Sequence, residues 1–143
     1  MGFRIVDDIT LADTAVECDG RDLPELFMAG ADALVTVMVD DPGTVMRHER
    51  RTIYLENGEI DQLLYAFLNE LLYYKDAESL ILVPEEIKIE KHNAQYCLWC
   101  SAAGETADQK KHSFNVDVKA VTFHKFNVKY KNNIWCATIV FDV

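Results

Sequence analysis

The chain has 143 residues, 50% of them hydrophobic, and a formal net charge of −10 at pH 7. That length fits one domain, 1–143, with enough apolar material for a sizeable core. The acidic balance repels a phosphate backbone, so direct stable binding to nucleic acid is not expected, and a basic protein surface or a bound cation is favoured instead.

No apolar run approaches the roughly 18 residues that a spanning helix needs, so no membrane association is expected. Residues 1–10 lack a basic stretch followed by a long apolar one, which argues against a secretory signal. Met1-Gly2 invites myristoylation, but Val6 stands where Ser or Thr is required. The expected compartment is the cytoplasm.

Residues 3–5 and 14–18 are expected as short strands on either side of an acidic connection containing Asp7, Asp8 and Asp13. Cys18-Asp19-Gly20-Arg21 has turn chemistry. Asp22 is placed to cap a helix, with Glu25 three residues on and Pro24 in the first turn. Leu23, Leu26, Phe27, Ala31, Leu34, Val37 and Met38 then keep helical spacing to about Val39, where Asp40-Asp41-Pro42-Gly43 stops it. Residues 47–55 follow as a strand ended by Asn57-Gly58. Ile60, Leu63, Leu64, Phe67, Leu68, Leu71 and Leu72 form one broad apolar stripe, which predicts a second helix to about Tyr74.

Beyond Asp76 the pattern predicts strands at 81–83, 87–91 and 95–103, a polar loop at 104–111, and strands at 116–130 and 134–143. Two helices among many strands define an α+β protein. The expected architecture is a two-layer sandwich, a mostly antiparallel sheet with both helices packed on one face.

Cys97-Leu98-Trp99-Cys100 matches C-x-x-C, but positions i and i+3 of a strand point to opposite faces, and no second pair completes a zinc site. Buried reduced thiols are expected. Motifs for a nucleophile, a phosphate loop or a dinucleotide are missing, so a hydrolase has no support. His48, His92, His112 and His124 form no metal-binding pattern. Arg47, Arg50 and Arg51 cluster, and Lys110, Lys111, Lys119, Lys125, Lys129 and Lys131 crowd the last third, so each group is a candidate partner surface. Asp142 and the carboxylate of Val143 stand together inside a strand-like run, and paired anionic oxygens suit a hard divalent cation. Asp13 could supply a further oxygen.

Four stretches together resemble the archease family, the accessory proteins of the GTP-dependent tRNA-splicing RNA ligase. Thr10-Leu11-Ala12-Asp13 lies where the family carries a His-Thr-Ala-Asp signature. Asp22 to Phe27 and the Ala-rich helix after it are similar to the family's first helix. Leu63-Leu64-Tyr65-Ala66-Phe67-Leu68-Asn69-Glu70-Leu71-Leu72-Tyr73 resembles its Leu-Leu-x-x-Trp-Leu-x-Glu-Leu-Leu-Tyr helix. Val118-Lys119-Ala120-Val121-Thr122-Phe123-His124 and the Asp142-Val143 end resemble its closing signature.

The resemblance implies a non-catalytic protein that promotes guanylylation and repeated turnover of the ligase, acting in tRNA splicing or RNA repair. It implies a divalent cation, calcium, held by Asp13, Asp142 and Val143. Lys119 is implied as a functional charge near that site, with His124 in the same motif. Asp117 is a further candidate donor. The chain departs from the family signature in having Thr10 for His, Leu11 for Thr and Ala15 for the Gly two residues after the Asp. Those departures also admit a second expectation, a metal-binding or chaperone-like module without a ligase role.

Overall fold

The computed structural model describes residues 2–6, 13–108 and 110–143. The elements are β1 (Phe3–Ile5), β2 (Asp13–Gly20), α1 (Leu23–Met38), a 3-10 turn (Pro42–Thr44), β3 (Glu49–Asn57), α2 (Ile60–Glu78), β4 (Leu80–His92), β5 (Gln95–Thr106), β6 (Ala120–Lys131) and β7 (Ile134–Asp142). Asp7, Asp8, Thr10, Leu11 and Ala12 lie outside the described residues.

The α+β sandwich is present, with its strands divided between two sheets. One has the order β1-β2-β7-β6 and the other β3-β5-β4. Every paired neighbour is antiparallel. The helices tie the sheets together, because α1 packs on β2 and β4, and α2 on β3, β4 and β6.

The core lies between the helices and the sheets. Leu26, Phe27 and Leu34 of α1 meet Leu63, Leu64, Phe67 and Leu68 of α2, with Val16, Leu98, Ile139 and Phe141 from the strands, all essentially excluded from water. The rings of Phe27 and Phe67 sit 5.7 Å apart. Burying one such side chain contributes about 1.5–3 kcal/mol, so these positions account for the helical stripes in the sequence. Asp22 caps α1 through a 2.9 Å bond from the Glu25 N–H. Glu25 reaches back to the N–H of Arg21 rather than to that of Asp22.

Several boundaries differ from the sequence expectation, each for a local reason. α2 continues to Glu78 and stops at Ser79, whose φ of 52° and ψ of 32° make a left-handed cap without the usual glycine. The strands expected at 81–83 and 87–91 are one edge strand, β4. A register shift between Pro84 and Glu86 accommodates the proline. β5 extends through the expected loop to Thr106. Gly104 there is a packing residue rather than a turn residue, since a Cβ would lie 1.7 Å from the carbonyl oxygen of Ile81. β6 begins at Ala120, not at 116; before it, Asn115 is held by the Met38 carbonyl, and Asp117 and Val118 by Lys75. No helix among the described residues is long and apolar enough to cross a membrane.

Candidate functional site

β2 and β7 run antiparallel in a register that sets Asp13 directly opposite Asp142, Thr14 opposite Phe141 and Ala15 opposite Val140. Residues so opposed share one face of a sheet, with Cβ atoms about 4.5–5.5 Å apart. Asp13 and Asp142, which composition alone does not link and the family resemblance does, are therefore direct cross-strand partners. The register follows from the apolar pattern. Val16, Cys18, Ala137, Ile139 and Phe141 face the core, and a one-residue slip would turn them outward. Asp13 and Asp142 are thus fixed to the opposite face.

Val143 is half-buried against the core, which anchors the backbone after Asp142. On the other side of β7, Ala120 pairs with Asp142, and the Lys119 N–H donates a 2.7 Å bond to the Asp142 carbonyl. The Lys119 side chain is exposed. Lys119 is therefore at the site through its backbone, with its ammonium in solvent.

His124 is placed differently. The pairing of β6 with β7 jumps from Thr122–Val140 to Asn127–Thr138, so residues 123–126 form a bulge. His124 sits in this bulge, exposed, its N–H bonded to Thr122 Oγ1 at 3.0 Å. Lys125 beside it adopts φ of 59°, a backbone state uncommon for a residue with a side chain. Phe123 stacks on Phe126, and both make T-shaped contacts with Tyr65 on α2. The ladder brings Asp13, Asp142 and Ala120 together and leaves His124 out of that rung.

Asp117 lies elsewhere as well. Its carboxylate accepts a 2.6 Å bond from Lys75 Nζ, and the same ammonium bonds Val118 O at 2.7 Å and Asp76 at 2.7 Å. Burial alone would lower the pKa of Lys75, but its hydrogen bonds to Asp117 and Asp76 outweigh that and raise it. Sequence reasoning passed over Lys75, because a single lysine near a helix end is common. Its one signal was its place in the last turn of α2, where a cation complements the helix dipole.

A second polar cluster was also missed, because residues 104–111 read as a loop. Glu105 is buried and accepts from Lys111 Nζ at 2.8 Å and the Met46 N–H at 2.6 Å, with His112 Nε2 at 3.2 Å. His112 Nδ1 accepts from the Asp108 N–H at 3.0 Å. An imidazole that accepts at Nδ1 carries its proton on Nε2, so His112 donates to Glu105. The Lys111 bond foremost, with the Met46 N–H, holds the Glu105 carboxyl down at about 2 against an ordinary 4.5. This cluster fastens the start of the β5–β6 connection.

Within the basic cluster at 47–51, Arg50 and Arg51 are matched by acids. Arg50 pairs with Glu85, Arg51 pairs with Glu49 and Glu78, and Arg47 bonds the Val45 carbonyl. Cys97 and Cys100 face opposite sides of β5, and burial pushes the Cys100 thiol up to about 12. The four cysteines are free. Among the described residues no three His, Cys, Asp or Glu side chains converge as a metal-binding group.

Two helices packed with two antiparallel sheets make the chain an α+β sandwich. The chain belongs to the archease protein family, which it matches over residues 3–143. It is 38% identical to the protein archease of Pyrococcus abyssi over 133 residues, 92% of this chain and 93% of that one. It is also similar to the solved structure of protein 1598 from Methanobacterium thermoautotrophicum, with a TM-score of 0.85, 30% identity and 99% of each chain covered. A crystal structure from Thermotoga maritima, described as an archease and possible chaperone, shares the fold with a TM-score of 0.66 and 16% identity, over 94% of this chain and 93% of that one.

Proposed function

We propose that this chain is an accessory protein of a GTP-dependent RNA ligase, promoting ligase guanylylation and multiple turnover in tRNA splicing or RNA repair. The observation that carries the proposal is the pairing of Asp13 with Asp142 across β2 and β7. Like charges directly opposite on a sheet destabilise it. A fold that keeps them there is suited to a divalent cation, and oxygen donors of this kind fit calcium. Asp13, Asp142 and the carboxylate of Val143 would hold it. A bound cation would neutralise phosphate oxygens as guanylate is transferred on the partner.

The chain's own residues do the positioning. The ladder keeps Asp13 and Asp142 on one face. The Lys119 N–H fixes the Asp142 carbonyl, and the exposed Lys119 ammonium is free to meet an anionic group or the ligase. At the Ala15 departure, the residue pairs with Val140 as an ordinary strand residue, and its backbone needs no glycine. The chain brings acidic groups to its partner, in keeping with a net charge of −10, so a protein partner is favoured over direct RNA contact.

The test is multiple-turnover ligation by the cognate ligase. Wild type is expected to stimulate, and Asp13→Ala and Asp142→Ala are each expected to lose most of that stimulation. Stimulation by both variants at the wild-type level would remove the residue assignment.

A protein-binding module without a ligase role is the second reading, favoured by exposed aromatics. Tyr54 and Trp99 pair at 5.3 Å on the outer face of the β3-β5-β4 sheet. Calcium binding without any stimulation of the ligase would select it.

A further inference from the structure

We infer that Lys75 is a positioning residue for the carboxylate site, a role that rests on the cation proposal above. The connection between β5 and β6 forms, in its described residues, no helix or strand, only a turn at 110–111 and an isolated bridge from Phe114 to Val39. Its residues Phe114, Asn115, Val116 and Asp117 border a cleft of about 440 Å³ that also touches Lys75. Along that stretch the connection is open on one side, so packing alone does not fix it. Point attachments do: Asn115 N–H to the Met38 carbonyl at 2.9 Å, then the Lys75 ammonium, then the Lys119 N–H to Asp142.

Lys75 is the last attachment before the site. Its ammonium is held at the end of α2 with only 12% of the side chain exposed, and it grips two successive residues, the Asp117 carboxylate and the Val118 carbonyl. Val118 is itself fully buried. The next residue, Lys119, donates to the Asp142 carbonyl, and Asp142 faces Asp13. The chain of contacts runs from α2 to the carboxylate pair through one partly buried ammonium. Partners of this outer-shell kind tune metal sites, and their loss commonly weakens affinity about 10–100-fold. Lys75 touches neither carboxylate of the pair, so its effect is through the backbone of residues 117–119.

The experiment titrates calcium alone into wild type, Lys75→Met and Lys75→Arg by calorimetry, and follows hydrogen exchange of the Lys119 amide in each protein without calcium. Lys75→Met keeps the aliphatic stem and removes the donors. It is expected to bind calcium about tenfold more weakly and to exchange the Lys119 amide faster, while core amides of Leu64 and Ile139 stay protected. Lys75→Arg restores donors and is expected to recover most of both effects. Wild-type binding with equal affinity in Lys75→Met, or an unchanged Lys119 amide, would overturn the role of Lys75 alone. No calcium binding by wild type would overturn the cation site itself, and the Lys75 role with it.

Discussion

Asp13 and Glu105 show two ways in which one carboxylate can be held. Glu105 is satisfied inside the protein, by Lys111, the Met46 N–H and His112. Asp13 stands opposite another carboxylate. The difference sets different tests. For Glu105, a folded-state pKa of about 2 against an ordinary 4.5 means that its charged form stabilises the fold above pH 4.5, and that this contribution is lost as pH falls toward about 2. Denaturant midpoints for wild type and Glu105→Gln should therefore differ by a constant amount above pH 4.5 and converge below it. A gap that stays constant through the acid range would show that the Glu105 charge contributes nothing. At this scale the sequence was partly legible. Asp13, Asp142 and Lys119 stood out through a family resemblance, but nothing in their spacing reveals that β2 and β7 are neighbours. Lys75 and Glu105 were passed over because one partner of each lies far off in sequence, Asp117 42 residues from Lys75 and Met46 59 residues from Glu105, and because Lys111 and His112, though near Glu105, fell in a stretch that reads as a loop.

Elements were more legible than contacts, because a helix writes its period into the sequence. The stripes of α1 and α2 mark their buried faces directly, and Asp22 marks the start of α1. The ends were harder. Ser79 ends α2 in a conformation that glycine usually signals, and Pro84 suggested a break that a bulge on an edge strand absorbs. Gly104 shows why a loop was expected where β5 continues. Glycine usually reads as a turn, but here it allows β4 and β5 to approach, with no room for a Cβ beside the Ile81 carbonyl. Gly104→Ala is accordingly expected to destabilise the fold by about 3 kcal/mol, read as a lower urea midpoint with an unchanged slope. A midpoint equal to wild type would mean that the two strands separate there at no cost.

At the scale of the whole molecule, α1 and α2 each span the two sheets, so the sheet carrying the carboxylates is fixed to the rest through the core. The division into two sheets was not legible in the sequence. Alternation shows which face of a strand is buried, not which strand lies beside it. That arrangement makes the last strand a central member of its sheet, between β2 and β6, rather than a free edge. Both neighbours then contribute to the site: β2 gives Asp13, and the entry to β6 gives the Lys119 N–H.

The most direct measurement is thermal melting of wild type and Asp13→Asn, each in chelator and in saturating calcium. Without a cation, the substitution relieves like-charge repulsion across β2 and β7, worth about 0.2–1 kcal/mol, so Asp13→Asn should melt above wild type. With calcium, wild type should gain stability by binding, about 2.7 kcal/mol at one hundred times its dissociation constant, and should then melt above the variant. Reversal of the order between the two conditions is the predicted result. The same order in both would contradict a cation site built on Asp13 and Asp142.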